Sequence, residues 1–89
     1  MTWRIELSSL AQKNIRQSDP HTRQRILKFL STRIAPLDDP RSLGEALKGS
    51  KLGDFWKYRV GDYRIIADIQ DGALCILVVR IGNRREVYR

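Results

Sequence analysis

Trp3, Ile5 and Leu7 alternate with Arg4 and Glu6, the period-two rhythm of a strand with one buried face. From Ser8 the rhythm lengthens. Leu10, Ala11 and Ile15 fall on one side, with Gln12, Lys13 and Arg16 elsewhere, which predicts a short polar helix capped by Ser8 or Ser9. Asp19 followed by Pro20 is an N-cap with proline at the first helical position, and Ile26, Leu27, Leu30 and Ile34 then form the apolar stripe of a second helix ending near Ala35-Pro36. Asp38, Asp39, Pro40, Arg41, Ser42 and Gly44 mark a loop, with Leu43 and Leu47 as its expected anchors; Lys48-Gly49-Ser50-Lys51 leads onward.

Strand rhythm returns at Trp56, Tyr58 and Val60, which alternate with Lys57 and Arg59, and Gly61-Asp62 is a two-residue loop of the Gly-X kind that closes a tight hairpin. That loop sets the register: Val60 opposite Tyr63, Arg59 opposite Arg64, Tyr58 opposite Ile65 and Lys57 opposite Ile66. Two arginines therefore face each other. Like charges directly opposite on a sheet work against roughly 0.2–1 kcal/mol of normal cross-strand stabilisation, so either an anion sits between them or the cations simply decorate a solvated face.

Asp71-Gly72 is a second turn signal, followed by the almost unbroken apolar run from Ala73 to Ile81, expected to be a central strand buried on both faces. Counted as a two-residue loop, it puts Gln70 opposite Ala73, Ile66 opposite Leu77, Arg64 opposite Val79 and Tyr63 opposite Arg80. One face then collects Trp56, Tyr58, Val60, Tyr63, Ile65, Ala67, Ile69, Leu74, Ile76 and Val78, where the helices should sit. The other carries Lys57, Arg59 and Arg64 beside Ile66, Leu77 and Val79. The order is β-α-α-β-β-β, an α+β fold in which two helices pack on one face of a small antiparallel sheet.

At 89 residues the chain has the length of one domain, expected over 1–89, and its 42% hydrophobic and 30% charged residues are ordinary for a globular protein. Neither a membrane-spanning run nor a signal peptide is visible. Cys75 is the sole cysteine and lies in the apolar strand, so it reads as a small buried hydrophobe in a chain expected in the cytoplasm. The net charge of +7 favours an acidic or polyanionic partner, nucleic acid before membrane, although an acidic protein fits equally well.

Most catalytic arrangements are missing. His21, the one histidine, falls in the first turn of a helix, and neither Ser-His-Asp nor Cys-His can be assembled. Asp38, Asp39, Asp62 and Asp71 occupy loops and turns, which argues against a metal cluster. A set of cations with a phenol can still cleave RNA, whose own 2′-OH is the nucleophile. A base must take the 2′ proton, cations must stabilise the phosphorane, and an acid must protonate the departing 5′ oxygen. Arginine stays protonated and binds phosphate in bidentate fashion, so Arg59 and Arg64 suit charge stabilisation, while Lys57 becomes a base only if neighbouring cations lower its proton affinity.

Leu47-Lys48-Gly49, Trp56-Lys57-Tyr58-Arg59-Val60, Asp62-Tyr63-Arg64-Ile65-Ile66 and Ile81-Gly82-Asn83-Arg84-Arg85-Glu86-Val87-Tyr88 together resemble the RelE family, toxins of toxin–antitoxin systems that cut mRNA in the ribosomal A site. The resemblance covers nearly the whole chain. It implies a metal-independent, cofactor-free endoribonuclease with catalytic positions at Lys57, Arg59, Arg64, Arg84 and Tyr88, and RNA contacts at Lys48, Lys51 and Arg85. The base and acid roles stay divided among Lys57, Arg59 and Tyr88, and either Arg84 or Arg85 takes the catalytic arginine's place. It further implies a RelB-like antitoxin, the ribosome and mRNA as partners, and operator DNA bound through the antitoxin. The chain stops at Arg89 with no further helix, from which inhibition is expected to cover or distort the site directly. A ParE-like toxin that poisons DNA gyrase without cutting RNA is the alternative, and a plain RNA-binding module a third.

Overall fold

The computed structural model describes residues 2–47 and 55–83. The first strand, β1 (Arg4–Leu7), leads into helix α1 (Ser9–Gln17), whose N-cap is Ser8: its hydroxyl accepts from the Ala11 backbone N–H at 3.1 Å. Helix α2 (Pro20–Phe29) opens on Asp19, which accepts from the Thr22 N–H at 2.7 Å; this bond holds the Asp19 carboxyl below the usual carboxylate range. A π-helical turn at Leu30–Ile34 continues α2 to the expected end, with Ala35 N–H bonded to the Leu30 carbonyl. Ile26, Leu30 and Ile34 are buried as the stripe predicted, but Leu27 is 41% exposed because α2 touches the sheet along one line only.

The sheet has five strands in the order β1-β5-β4-β3-β2, counting β2 (Glu45–Ala46), β3 (Trp56–Val60), β4 (Tyr63–Gln70) and β5 (Cys75–Asn83). Two features depart from the antiparallel sheet expected. β2 is a fifth strand, too short to leave a rhythm, pairing Glu45 with Lys57 and Ala46 with Trp56. β1 lies parallel to β5, with Arg4 beside Cys75 and Leu7 beside Val78. Two helices intervene before the chain returns to the sheet, so no tight turn forces β1 to run antiparallel to its neighbour.

Ala11, Ile15, Ile26, Leu30 and Ile34 of the helical layer pack on Tyr58, Ile65, Ala67, Ile69, Ile76, Val78 and Ile81 of one sheet face, with Trp3 closing the cluster. Trp56, Val60 and Tyr63 lie half-buried against it, as expected for that face. Burying a side chain of the size of isoleucine contributes roughly 1.5–3 kcal/mol, so this row is the main source of cohesion between the layers.

The first hairpin has the expected register throughout, Arg59 opposite Arg64 included. Gly61 takes φ +60°, and Asp62 does not share the positive φ, which is the requirement of a loop with glycine at its first position. The second hairpin differs. Asp71–Ala73 forms a 3-10 turn, Leu74 adopts the left-handed conformation at φ 48°, and the loop thus spans four residues, with Gln70 opposite Cys75. Leu74 is consequently 39% exposed and not part of the helix-facing surface. A β-bulge between Ile66 and Ala67 then shifts the register once more, so that Ile66 faces Arg80, Arg64 faces Gly82 and Tyr63 faces Asn83. The pairings of Ile66 with Leu77, Arg64 with Val79 and Tyr63 with Arg80 are therefore corrected.

The loop between α2 and β2 is held by Pro40, which is buried, whereas Leu43, its expected anchor, is 42% exposed. The buried Tyr58 hydroxyl donates to the Pro40 carbonyl at 2.8 Å. Gly44 makes this approach possible, since a Cβ there would stand 2.8 Å from the Tyr58 ring. Arg41 completes the fastening: its two terminal nitrogens reach the Asp71 carboxylate at 3.0 and 2.6 Å, and its guanidinium lies 5.9 Å from the Trp56 ring centroid.

Candidate functional site

Side chains on one strand alternate between faces, so Lys57 and Arg59 share the sheet face turned away from the helices, and the hairpin register adds Arg64 to it. These three residues line a cleft of about 240 Å3 together with Leu43, Glu45 and Tyr58. Tyr58 contributes only ring, because its hydroxyl is engaged by Pro40 and burial pushes its pKa up to about 12. As expected, it belongs to the core and not to the cleft's chemistry.

Arg59 is exposed and makes no hydrogen bond or ion pair with the described residues. Arg64 folds back along the turn, where Nη1 donates to the carbonyls of Gly61 at 3.3 Å and Tyr63 at 3.2 Å. It thereby stands clear of direct collision with Arg59 while staying on the same face. Lys57 Nζ lies 3.6 Å from Glu45 Oε2, and its side chain is 32% exposed. Lys57 thus has a carboxylate as well as arginines for neighbours, a partner missed because the two-residue strand that carries Glu45 has no visible period.

Arg80 is the second residue that pattern reading left out. Across three strands Lys57, Ile66 and Arg80 form one row, and Arg59, Arg64 and Gly82 form the next. Arg80 therefore lies diagonal to Arg64 on the cationic face. The β-bulge puts it there, and Ser8 and Asn14 hold β5 beside it: Ser8 Oγ donates to the Val79 carbonyl at 2.8 Å, and Asn14 Oδ1 accepts from the Ile81 N–H at 3.0 Å. The opposite end of the same face is acidic, with Asp68 and Glu6 on either side of Leu77. There Cys75, fully buried, donates its Sγ–H to Glu6 Oε2 at 3.2 Å, and burial, then the Glu6 contact, pushes its thiol pKa up.

His21 is exposed on α2. Among the described residues no three His, Cys, Asp or Glu side chains come together as metal ligands. Lys48, Lys51, Arg84, Arg85 and Tyr88 lie outside the described residues. The structure thus brings together Lys57, Arg59 and Arg64 of the expected set.

The fold superposes on a chain of the RelBE2 toxin–antitoxin complex of Mycobacterium tuberculosis with a TM-score of 0.85 at 17% identity, covering 97% of this chain and 95% of that one. For the intact Escherichia coli RelBE complex the TM-score is 0.70 at 20% identity, over 91% and 95% of the two chains. For the archaeal RelE–RelB complex of Pyrococcus horikoshii it is 0.69 at 22% identity, over 98% and 100%. No curated protein sequence matches the chain. No described helix is long and apolar enough to cross a membrane. Residues 5–88 match the family model described as the ParE toxin of the type II toxin–antitoxin system parDE, and the chain therefore belongs to this toxin family of the RelE/ParE superfamily.

Proposed function

We propose that this toxin is a ribosome-dependent endoribonuclease that cuts mRNA in the A site and so stops translation. The observation that carries the reading is the direct opposition of Arg59 and Arg64 on the sheet face turned away from the helices, with Lys57 in the same cleft. Arg64, turned back onto the Gly61 and Tyr63 carbonyls, stands clear of Arg59 in the free protein, and a phosphate between the two would take charge-assisted hydrogen bonds from both guanidiniums.

In the proposed reaction the 2′ oxygen attacks the adjacent phosphorus, its proton passing to a base, while the bond from phosphorus to the 5′ oxygen breaks and that oxygen receives a proton from an acid. The products are a 2′,3′-cyclic phosphate and a free 5′-OH. Arg59 and Arg64 meet the charge of the phosphorane, and Arg84, or Arg85 in its place, adds to it. Lys57, held by Glu45, is suited to donate to a phosphate oxygen. The base and acid roles fall among Lys57, Arg59 and Tyr88, with Lys48, Lys51 and Arg85 as RNA contacts. No cofactor or metal ion enters this balance.

Held in line by the ribosome, a substrate needs less from a site without a strong base, so cleavage should depend on translation. In the cytoplasm, a RelB-like antitoxin would cover the basic face and carry the complex to operator DNA. Primer extension on an mRNA in a reconstituted translation reaction tests the proposal. Discrete cuts that vanish when ribosomes are left out are expected, and rapid cutting of naked RNA would overturn the ribosome requirement.

The ParE description of the matching family supports a second reading, a DNA gyrase poison without nuclease activity. It predicts no mRNA cuts at any toxin concentration, together with inhibition of supercoiling by purified gyrase. Binding of RNA with neither effect would leave an RNA-binding module.

A further inference from the structure

The tip of the central hairpin carries two guanidiniums. Gly61 has no side chain, and Arg25 of α2 packs against the place its Cβ would occupy, with Nη2 3.2 Å and Nη1 3.3 Å from that point. On the other side of the same residue Arg64 Nη1 donates to the Gly61 carbonyl at 3.3 Å. The two guanidiniums are therefore no more than about 10 Å apart, separated by the width of one residue. Arg25 makes no hydrogen bond or ion pair with the described residues. It lines a separate cleft of about 150 Å3 with Thr22, Ile26, Val60, Asp62 and Tyr63, and Asp62, the carboxylate there, forms no ion pair with it.

We propose that Arg25, seated over the Gly61 turn, is a second phosphate-binding site that holds the RNA strand one or two nucleotides away from the phosphate bound between Arg59 and Arg64. Continuity favours RNA over an acidic peptide. Arg59, Arg64 and Arg25 step around the hairpin tip from the sheet face turned away from the helices to α2, a series of single positive charges suited to a backbone with one charge per nucleotide. Thr22 takes no part, since its hydroxyl is already committed to Asp19 at 3.2 Å. The proposal rests on the nuclease reading for the identity of the strand, though not on cleavage itself.

The test uses the full chain and 2′-O-methyl oligoribonucleotides, which cannot be cut, with binding followed by fluorescence anisotropy over about 50 to 200 mM salt. Arg25→Gln should weaken binding of a hexanucleotide several-fold and lower the slope of log affinity against log salt by about 0.7, the share of one phosphate contact on a single strand. A dinucleotide, too short to span both sites, should bind the variant and the parent alike. Asp62→Asn should strengthen hexanucleotide binding by removing the nearby negative charge. An unchanged slope for Arg25→Gln, equal weakening for both lengths, no binding of the hexanucleotide by the parent, or weakened antitoxin binding with RNA binding intact would each overturn the proposal. Loss of melting temperature in Arg25→Gln without a change in slope would do the same, by showing Arg25 to be packing for the turn. If translated mRNA is not cut and yet the slope changes, the nuclease reading fails and the site stands.

Discussion

Arg64 has two neighbours of opposite consequence, the like charge of Arg59 across the hairpin and the turn carbonyls of Gly61 and Tyr63 that accept its Nη1. Both effects are small and of opposite sign at a half-exposed position, so Arg64→Ala should change stability by no more than about 0.5 kcal/mol. If Arg64 meets the transition-state charge, the same change should lower mRNA cleavage by about 10²-fold or more. Melting and primer extension measured side by side decide it, and early melting with normal cutting would remove Arg64 from the site. Tyr58 is the opposite kind of residue. Its hydroxyl is buried on the Pro40 carbonyl, and Tyr58→Phe should cost about 1 kcal/mol in urea unfolding. Its folded pKa, about 12, lies above the ordinary tyrosine value of 10.0, so the folded state holds the proton more tightly. Its contribution is then full below pH 10 and is lost as pH rises towards 12, and the parent should lose stability over that window more steeply than Tyr58→Phe. The opposed arginines were legible in the sequence because a two-residue loop leaves one register open. Glu45 and Arg80 were not, since their places on the face depend on strand pairs that no tight turn dictates.

Among the elements, α1 does more than cover the core. β1 ends at Leu7 opposite Val78, so beyond that point the Val79 carbonyl and the Ile81 N–H of β5 have no strand neighbour on that side, and Ser8 and Asn14 take them up. Without the bulge, alternation along β5 would turn Val79 towards the cationic face and Arg80 towards the core. Asn14→Ala should therefore cost about 1 kcal/mol of stability and, if the chain cuts mRNA as proposed, lower the cutting rate by loosening the strand that leads from the cationic face to Arg84. Asn14→Asp, which keeps an acceptor, should restore most of both; equal activity of Asn14→Ala and parent would show that β5 keeps its place without this side-chain partner. The helix starts were legible to within a residue because their caps are chemical signals: Ser8 and Asp19 each accept the N–H three residues on. The second hairpin was not. Asp71-Gly72 resembles a two-residue loop, and only in the folded sheet does the left-handed Leu74 lengthen it to four.

On the scale of the whole molecule, charge is sorted by position. Lys57, Arg59, Arg64 and Arg80, with Glu45 beside Lys57, occupy the hairpin end of the sheet face turned away from the helices, Glu6 and Asp68 the other. Four of the cations behind the net charge of +7 therefore share one end of this face, and an acidic antitoxin should bind there with an affinity that falls as salt rises. A titration calorimetry series across salt concentrations checks this, and salt-independent binding would place the contact on the apolar side of the molecule instead. Local chemistry in the sequence was enough to determine both helices, the central hairpin with its facing arginines, and the α+β class, since caps, tight turns and period-two rhythm act between residues close along the chain. The tertiary structure alone decided the parallel docking of β1, the short strand that brings Glu45 to Lys57, and the bulge that brings Arg80 to the cationic face. These depend on how segments far apart in sequence satisfy each other's backbone groups, which alternation along any one of them does not specify.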